Sequence, residues 1–256
     1  MQNSEVLTTV GKTPAKSIVR VHFPARNTTL AYFNDRFDLH IGDIVYVDGK
    51  LEGLRGFVVD VTHNFKIRVS DYKRVIGKAD TTVSGTLHMA GSHFVSLSPD
   101  VISFEKVLTW YRAPEKAEAV YVTGNDETAF SLDDLSGMNI GSEIAGRGND
   151  YYLRNKVRYI CVDGTRGHAI VEGTRAYEVE FICEDEQIRN LTCDCFCSYT
   201  CKHEYAAMLQ LKETLKALRK IAPDGTNGYF SAISKAALFQ FAVEGKGTGA
   251  ATLCNP

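Results

Sequence analysis

The chain has 256 residues, of which 44% are hydrophobic and 23% are charged, so disordered and collagen-like classes are excluded. A formal net charge of −2 excludes a polycation that coats nucleic acid in bulk. No apolar run reaches the roughly 18 residues of a membrane span, and the first residues do not resemble a secretory signal. We therefore expect a cytoplasmic protein of one or two domains without a membrane partner.

Residues 14–80 form the first predicted domain. Short runs of alternating or continuous apolar residues predict five strands, at 17–23, 28–33, 42–47, 56–61 and 65–69. Because no segment of helical period interrupts them, a small β-barrel or sandwich is predicted. Residues 41–47 and 54–61 resemble the strands of SH3-like and KOW-like barrels, which implies a barrel-like fold for this domain.

Residues 1–80 carry twelve basic and nine acidic side chains. Four of the basic ones, Lys66, Arg68, Lys73 and Arg74, lie close together in the sequence. They form either a patch that faces the phosphates of a partner or the solvated face of a hairpin.

Residues 81–141 have a different character. Residues 81–140 contain eight acidic and three basic side chains, together with fragments that resemble strands. We interpret residues 81–141 as a β-rich acidic middle segment and linker.

Residues 142–222 give the clearest pattern. Strands are predicted at 157–162, 167–171 and 177–182, followed by an amphipathic helix that begins near His203 and ends before Pro223. In the last segment, 223–256, a short apolar helix is predicted at 229–243, with a loose tail after it.

Seven cysteines occur in the chain, and four of them fall within nine residues, whereas the first 160 residues have none. A disulfide framework would spread its cysteines along the chain and would imply secretion. The cluster therefore favours a metal site, and the alternative is a set of unligated buried thiols.

Cys193, Cys195, Cys201 and His203 form two pairs, each with one intervening residue, which suits a tetrahedral zinc ion. A second assignment replaces Cys193 with Cys197 and leaves a loop of only three residues. Four protein ligands close the coordination sphere, so we expect one structural Zn²⁺ and no catalytic metal.

This region resembles the SWIM zinc finger, whose pattern is Cys-x-Cys, a variable loop and then Cys-x-His. The resemblance extends to the flanking segments 146–152, 156–157 and 173–179 and to the pair Ala206-Ala207, and it covers about residues 142–218. It implies a ββα-type zinc domain that binds DNA or protein. The whole chain is then an α+β protein with a barrel-like domain, a zinc domain and an extra helix.

The expected function is that of a non-enzymatic accessory factor that binds nucleic acid, with DNA preferred over RNA as partner. Lys202 and Arg189, next to the proposed ligands, are candidate contacts. The alternative is a protein-interaction adaptor that uses the zinc domain and the C-terminal helix. A third hypothesis is an enzyme in which Cys197 is a nucleophile paired with His168 or His93.

Overall fold

The computed structural model describes residues 15–114, 124, 128–243 and 249–254. The chain divides into two compact units, Met1–Lys78 and Ala79–Pro256. Within the described ranges it is a mixed α and β protein with fourteen strands in two sheets and four α-helices. None of the helices in these ranges is long and apolar enough to span a membrane.

The first unit is a five-stranded antiparallel sheet. Its strands are β1 (Ser17–Phe23), β2 (Thr28–Asn34), β3 (Ile44–Val47), β4 (Gly56–Thr62) and β5 (Val75–Lys78). Their order across the sheet is β2-β1-β4-β3-β5. Alternate residues of β1 are buried, as its sequence pattern predicts, and Val19, Val21 and Phe23 lie in the core of this unit.

Among the described residues of this unit, no continuous ladder of backbone hydrogen bonds closes the sheet into the predicted barrel. One isolated bridge joins Phe33 of β2 to Arg74, the residue before β5. The fifth strand also differs from the prediction. Residues 65–69 form no strand, and Val75–Lys78 pairs with β3 instead. Val75 of this strand lies in the core of the unit.

The second unit contains a nine-stranded sheet. Its strands are β6 (Gly85–Ala90), β7 (His93–Ser96), β8 (Ala129–Ser131), β9 (Val157–Asp163), β10 (Arg166–Glu172), β11 (Ala176–Glu184), β12 (Gln187–Cys193), β13 (Tyr229–Ser234) and β14 (Ala251–Cys254). The order is β14-β6-β7-β13-β9-β10-β11-β12-β8. Neighbouring strands are antiparallel except β14 and β6, which are parallel.

Helices cover both faces of this sheet. They are α1 (Phe104–Tyr111), α2 (Ser142–Leu153), α3 (Lys202–Ile221) and α4 (Lys235–Leu238). The buried face of α3 packs on Ile160 and Ala169. Successive residues of a strand face opposite sides, so Tyr159 and His168 lie on the other face, where Phe104 of α1 contacts both rings.

Two predicted segments belong to this same sheet. Residues 81–141, predicted as a middle segment and linker, supply β6, β7, β8 and α1. In the predicted helix at 229–243, the first six residues are β13, between β7 and β9. All six are buried, and a continuous apolar run does not distinguish a central strand from a buried helix. Part of the predicted loose tail forms β14.

The contact between α2 and α3 is close at Gly148. A Cβ atom placed there would lie 2.9 Å from the Lys202 carbonyl oxygen and 2.9 Å from the Tyr205 Cβ atom. Gly146, one half-turn earlier on α2, has no neighbouring atom within 4 Å of the same position. The absence of a side chain at Gly148 therefore fixes how closely α2 approaches the start of α3.

We expect Gly148→Ala to destabilise the protein by about 1–3 kcal/mol, because the added methyl group collides with backbone that cannot move freely. Gly146→Ala is the matched control, and it should gain up to about 1 kcal/mol from helix propensity. Thermal unfolding of both variants measures the difference. Equal stability of the two variants would contradict the close approach.

Candidate metal centre

Cys193, Cys195, Cys201 and His203, called here the Cys3His group, are brought together where β12 ends and α3 begins. Cys193 is the last residue of β12, paired with Val179 of β11. Cys201 is the N-cap residue of α3, and His203 lies in the first turn of that helix. The end of the strand thus contributes Cys193, and the start of the helix contributes Cys201 and His203.

One donor atom from each residue of the Cys3His group lies within 4.8 Å of the other three. The Nδ1 atom of His203 is 3.8 Å from the Cys193 sulfur and 3.7 Å from the Cys201 sulfur. A tetrahedral ion with bonds of about 2.0–2.3 Å has ligand–ligand distances of roughly 3.5–3.8 Å. The donor set and these distances fit one metal ion bound by four protein ligands.

The start of α3 holds Cys201 in place through a capping box. The Cys201 sulfur accepts a hydrogen bond from the backbone N–H of Glu204, and the Glu204 carboxylate accepts one from the backbone N–H of Cys201 at 2.6 Å. Both residues are buried. The positive end of the helix dipole also favours a thiolate at this position.

The three thiols differ in acidity. A hydrogen bond from the Cys193 thiol, together with the nearby His203 and the Glu204 N–H, lowers the pKa of Cys201 to about 4. The same hydrogen bond, with burial, raises the pKa of Cys193 far above its usual value, and burial raises the pKa of Cys195 to about 12. Binding of a metal to all three sulfurs therefore displaces protons, so metal affinity decreases as the pH is lowered.

The ring of His203 is held by aromatic neighbours. Tyr177 of β11 stacks on it with a centroid separation of 4.2 Å, and Tyr151 of α2 meets it edge to face at 5.5 Å. A Cβ atom at Gly173 would lie 2.8 Å from the Tyr177 ring and 3.4 Å from the His203 Nε2 atom. Gly173 and Tyr177 belong to the flanking segment that carries the resemblance, and here they determine the orientation of a ligand.

Asp194 lies between two ligands and is held from several directions. Its carboxylate accepts a hydrogen bond from the backbone N–H of Glu178 at 2.9 Å and pairs with the guanidinium of Arg175 at 3.1 Å. Arg112, which caps the C-terminus of α1, pairs with Asp194 and also with Glu178 at 3.1 Å. These groups are called here the Asp194 clamp, and they connect the metal-site loop to the helix on the opposite face of the sheet.

A second set of donors, His168, Glu178 and Glu180, lies on the α1 face of β10 and β11. Its Glu178 carboxylate is bound by Arg112, and His168 Nδ1 lies 3.4 Å from the same carboxylate. The guanidinium of Arg112 already supplies the positive charge that a bound cation would bring. We therefore assign Glu178 to the Asp194 clamp.

Cys197 is exposed and is not part of the Cys3His group, so the structure brings together the first of the two predicted ligand sets. In the described structure Cys197 forms no hydrogen bond with His168 or His93. The Nε2 atom of His93 instead bonds to the Val157 carbonyl oxygen at 2.9 Å, and burial lowers the pKa of His93 to about 4.

The predicted partner contacts lie in both units. Lys202 is in the first turn of α3, with its ammonium 4.9 Å from the centre of the Tyr151 ring, and the exposed Arg189 on β12 pairs with Glu184. In the first unit Lys66, Arg68 and Lys73 are exposed. Arg74 is half-buried, pairs with Asp35 and lies over the ring of Phe33, so it stabilises its own unit.

Sequence reasoning selected the four residues of the Cys3His group, which the structure brings together, but missed the Asp194 clamp. Asp194 could have been noticed as the one carboxylate between two cysteine ligands. Arg112 could not have been noticed, because it lies 82 residues from Asp194 and no motif surrounds it in the sequence.

The chain matches no protein-family model, no curated protein and no solved structure. The resemblance to the SWIM finger therefore rests on the ligand pattern and its flanks.

We expect Asp194→Asn and Arg112→Ala each to weaken metal binding by roughly 10–100-fold, because residues that orient ligands have effects of this size. Competition of the protein with a coloured chelator for added Zn²⁺ measures the affinity. Arg189→Ala is the matched control, since it removes an ion pair from β12 outside the clamp. An affinity unchanged in both clamp variants would show that the clamp does not position the ligands.

Proposed function

We propose that residues 142–218 form a SWIM-type zinc module in a non-enzymatic accessory factor that binds nucleic acid. The observation that supports it best is the Cys3His group itself, with two donors from a strand end and two from a helix start. Three thiolates and an imidazole select zinc over the hard cations magnesium and calcium, which prefer oxygen ligands. With four protein ligands, no coordination position is left for a reacting water, which supports a structural role for the metal.

Metal analysis of the purified protein should give close to one zinc ion per chain. We expect Cys193→Ser and His203→Ala each to abolish this content, because each removes one of four ligands. Cys197→Ser is the matched control, as it replaces an exposed cysteine of the same loop. Loss of zinc in Cys197→Ser, with zinc retained in Cys193→Ser, would support the other ligand assignment.

Cations near the centre support a nucleic-acid partner. Lys202 lies in the first turn of α3 and Arg154 follows α2, and neither is paired with a carboxylate within the described ranges. Phosphate groups are the natural partners of such side chains, and their contribution to binding decreases as salt increases. In the first unit, the exposed Lys66 and Arg68 offer a second set of contacts.

We expect the protein to bind a DNA oligonucleotide at low salt, with an affinity that falls as salt rises. Lys202→Gln should weaken binding and reduce the slope of log affinity against log salt by about 1, because one phosphate contact is lost. Lys66→Gln tests the first unit in the same way. Fluorescence anisotropy measures both. No binding by the zinc-loaded protein to DNA or RNA at low salt would refute the proposed function.

The second candidate is a protein-interaction adaptor. Phe239 and Val243, which follow α4, are 47% and 59% exposed, although both are apolar. Exposed apolar side chains that lie close together are typical of a docking surface. A failure to bind nucleic acid, together with retained zinc, would favour this adaptor function.

A further inference from the structure

The loop of residues 196–200 between the two ligand pairs, called here the metal-loop tip, exposes two aromatic side chains. Phe196 is 99% exposed and Tyr199 is 63% exposed. In the described part of the chain, no other large hydrophobic residue is as exposed as Phe196. A phenylalanine with its whole surface in water gains nothing from burial, so the fold itself gives no reason for this residue.

The ends of the metal-loop tip are held firmly. Cys195 precedes it and Cys201 follows it, and both belong to the Cys3His group. The Asp194 clamp holds the chain one residue earlier. Phe196 is therefore presented by a loop that is constrained on both sides, so little conformational entropy is lost when its ring contacts a partner.

The metal-loop tip borders a cavity of about 180 Å³. Its lining includes Phe196, Tyr199, Tyr177, Arg147 and Lys202, together with three members of the Cys3His group. The set combines aromatic rings with the cations Arg147 and Lys202 and contains no carboxylate. Three of the lining residues, Cys195, Cys201 and His203, are candidate metal ligands, so this cavity includes the space that an ion would fill. A partner's ring would contact the exposed ring of Phe196 beside it.

The charges around this cavity favour an anionic partner. Lys202 lies over the ring of Tyr151, and Arg175 lies over that of Tyr177 at 4.6 Å, where its guanidinium also pairs with Asp194. A second cavity of about 360 Å³ shares Arg147 with the first and adds Arg154 and Lys156. The carboxylates beside these cations are paired or exposed. Glu143 pairs with Arg147, and Glu172 pairs with Lys156 and Arg158. Asp150 is exposed.

We propose that the metal-loop tip is a stacking site for an unpaired base of a single-stranded nucleic acid, whose phosphates contact Lys202. This proposal rests on the proposed function and adds the kind of strand and the contact residue. Every base has an aromatic face, and stacking on a protein ring contributes to single-strand binding without requiring a particular sequence. In a duplex the base faces are stacked on each other, so a protruding phenylalanine finds no free face to contact.

The test compares binding of the zinc-loaded protein to a 12-residue oligo-dT strand and to a DNA hairpin duplex of equal charge, measured by fluorescence anisotropy. We expect the single strand to bind more tightly. Phe196→Ala should weaken single-strand binding by about 5–100-fold and leave duplex binding unchanged. Phe196→Trp should restore the affinity, because tryptophan offers a larger stacking face. An oligo-rU strand distinguishes RNA from DNA as the natural source.

Phe239→Ala is the matched control, since it removes an exposed phenylalanine outside this site. Zinc content measured for each variant shows that the Cys3His group is intact. Equal binding of duplex and single strand, or a Phe196→Ala variant that binds the single strand normally, would overturn the stacking proposal and leave the proposed function standing. Absence of binding to all three oligonucleotides would refute both, and a protein partner would then be the better explanation of the exposed ring.

Discussion

The second unit depends on one local constraint, the confinement of three sulfur atoms and one imidazole nitrogen within 4.8 Å. The Cys193 thiol donates a hydrogen bond to the Cys201 sulfur, so these sulfurs share protons. Three thiolates at this separation would repel each other strongly, and burial of Cys201 would increase the cost because little water screens the charge. A divalent cation bound here would remove this repulsion and would bond all four residues. It would thereby join the end of β12 to the start of α3 at one point.

The neighbouring helices and strands pack around the Cys3His group. α2 approaches α3 at Gly148, where only a residue without a side chain fits, and it brings Tyr151 to the ring of His203. β11 brings Tyr177 to the other side of the same ring. On the opposite face of the sheet, Arg112 reaches the metal-site loop through Asp194. The ligands are thus supported from both faces of the sheet, as expected for a site whose geometry has to be maintained.

The same arrangement explains why function is expected at the metal-loop tip. A loop tied at both ends by metal ligands keeps its shape without burying its own side chains. The metal-loop tip exposes Phe196 and Tyr199 in this way. In the proposed function the metal and the partner contact are linked, because the metal would maintain the loop that offers the contact.

Much of the site was predictable because its signals are local. Spacing of the cysteines and His203 identified the donors, and Gly173 and Tyr177 lay in a flanking segment that already pointed to the same module. The strands at 157–162, 167–171 and 177–182 and the helix after His203 were predictable from periodicity, since each has one face on the core. The strand at 229–234 was not predictable in this way, because a strand buried on both faces does not alternate between apolar and polar residues.

The sequence by itself therefore determined the donor atoms, the amphipathic elements that carry them and the separation of a cysteine-free first part from a cysteine-rich second part. Only the tertiary structure decided that strands from segments 81–141 and 229–254 belong to the large sheet, that Arg112 holds Asp194 and that Cys197 is exposed outside the Cys3His group. The reason is that ligand spacing is a property of neighbouring residues. Strand order depends instead on which distant segment pairs with the free backbone groups at a strand edge. Long-range ion pairs depend on which distant side chain neutralises a buried charge.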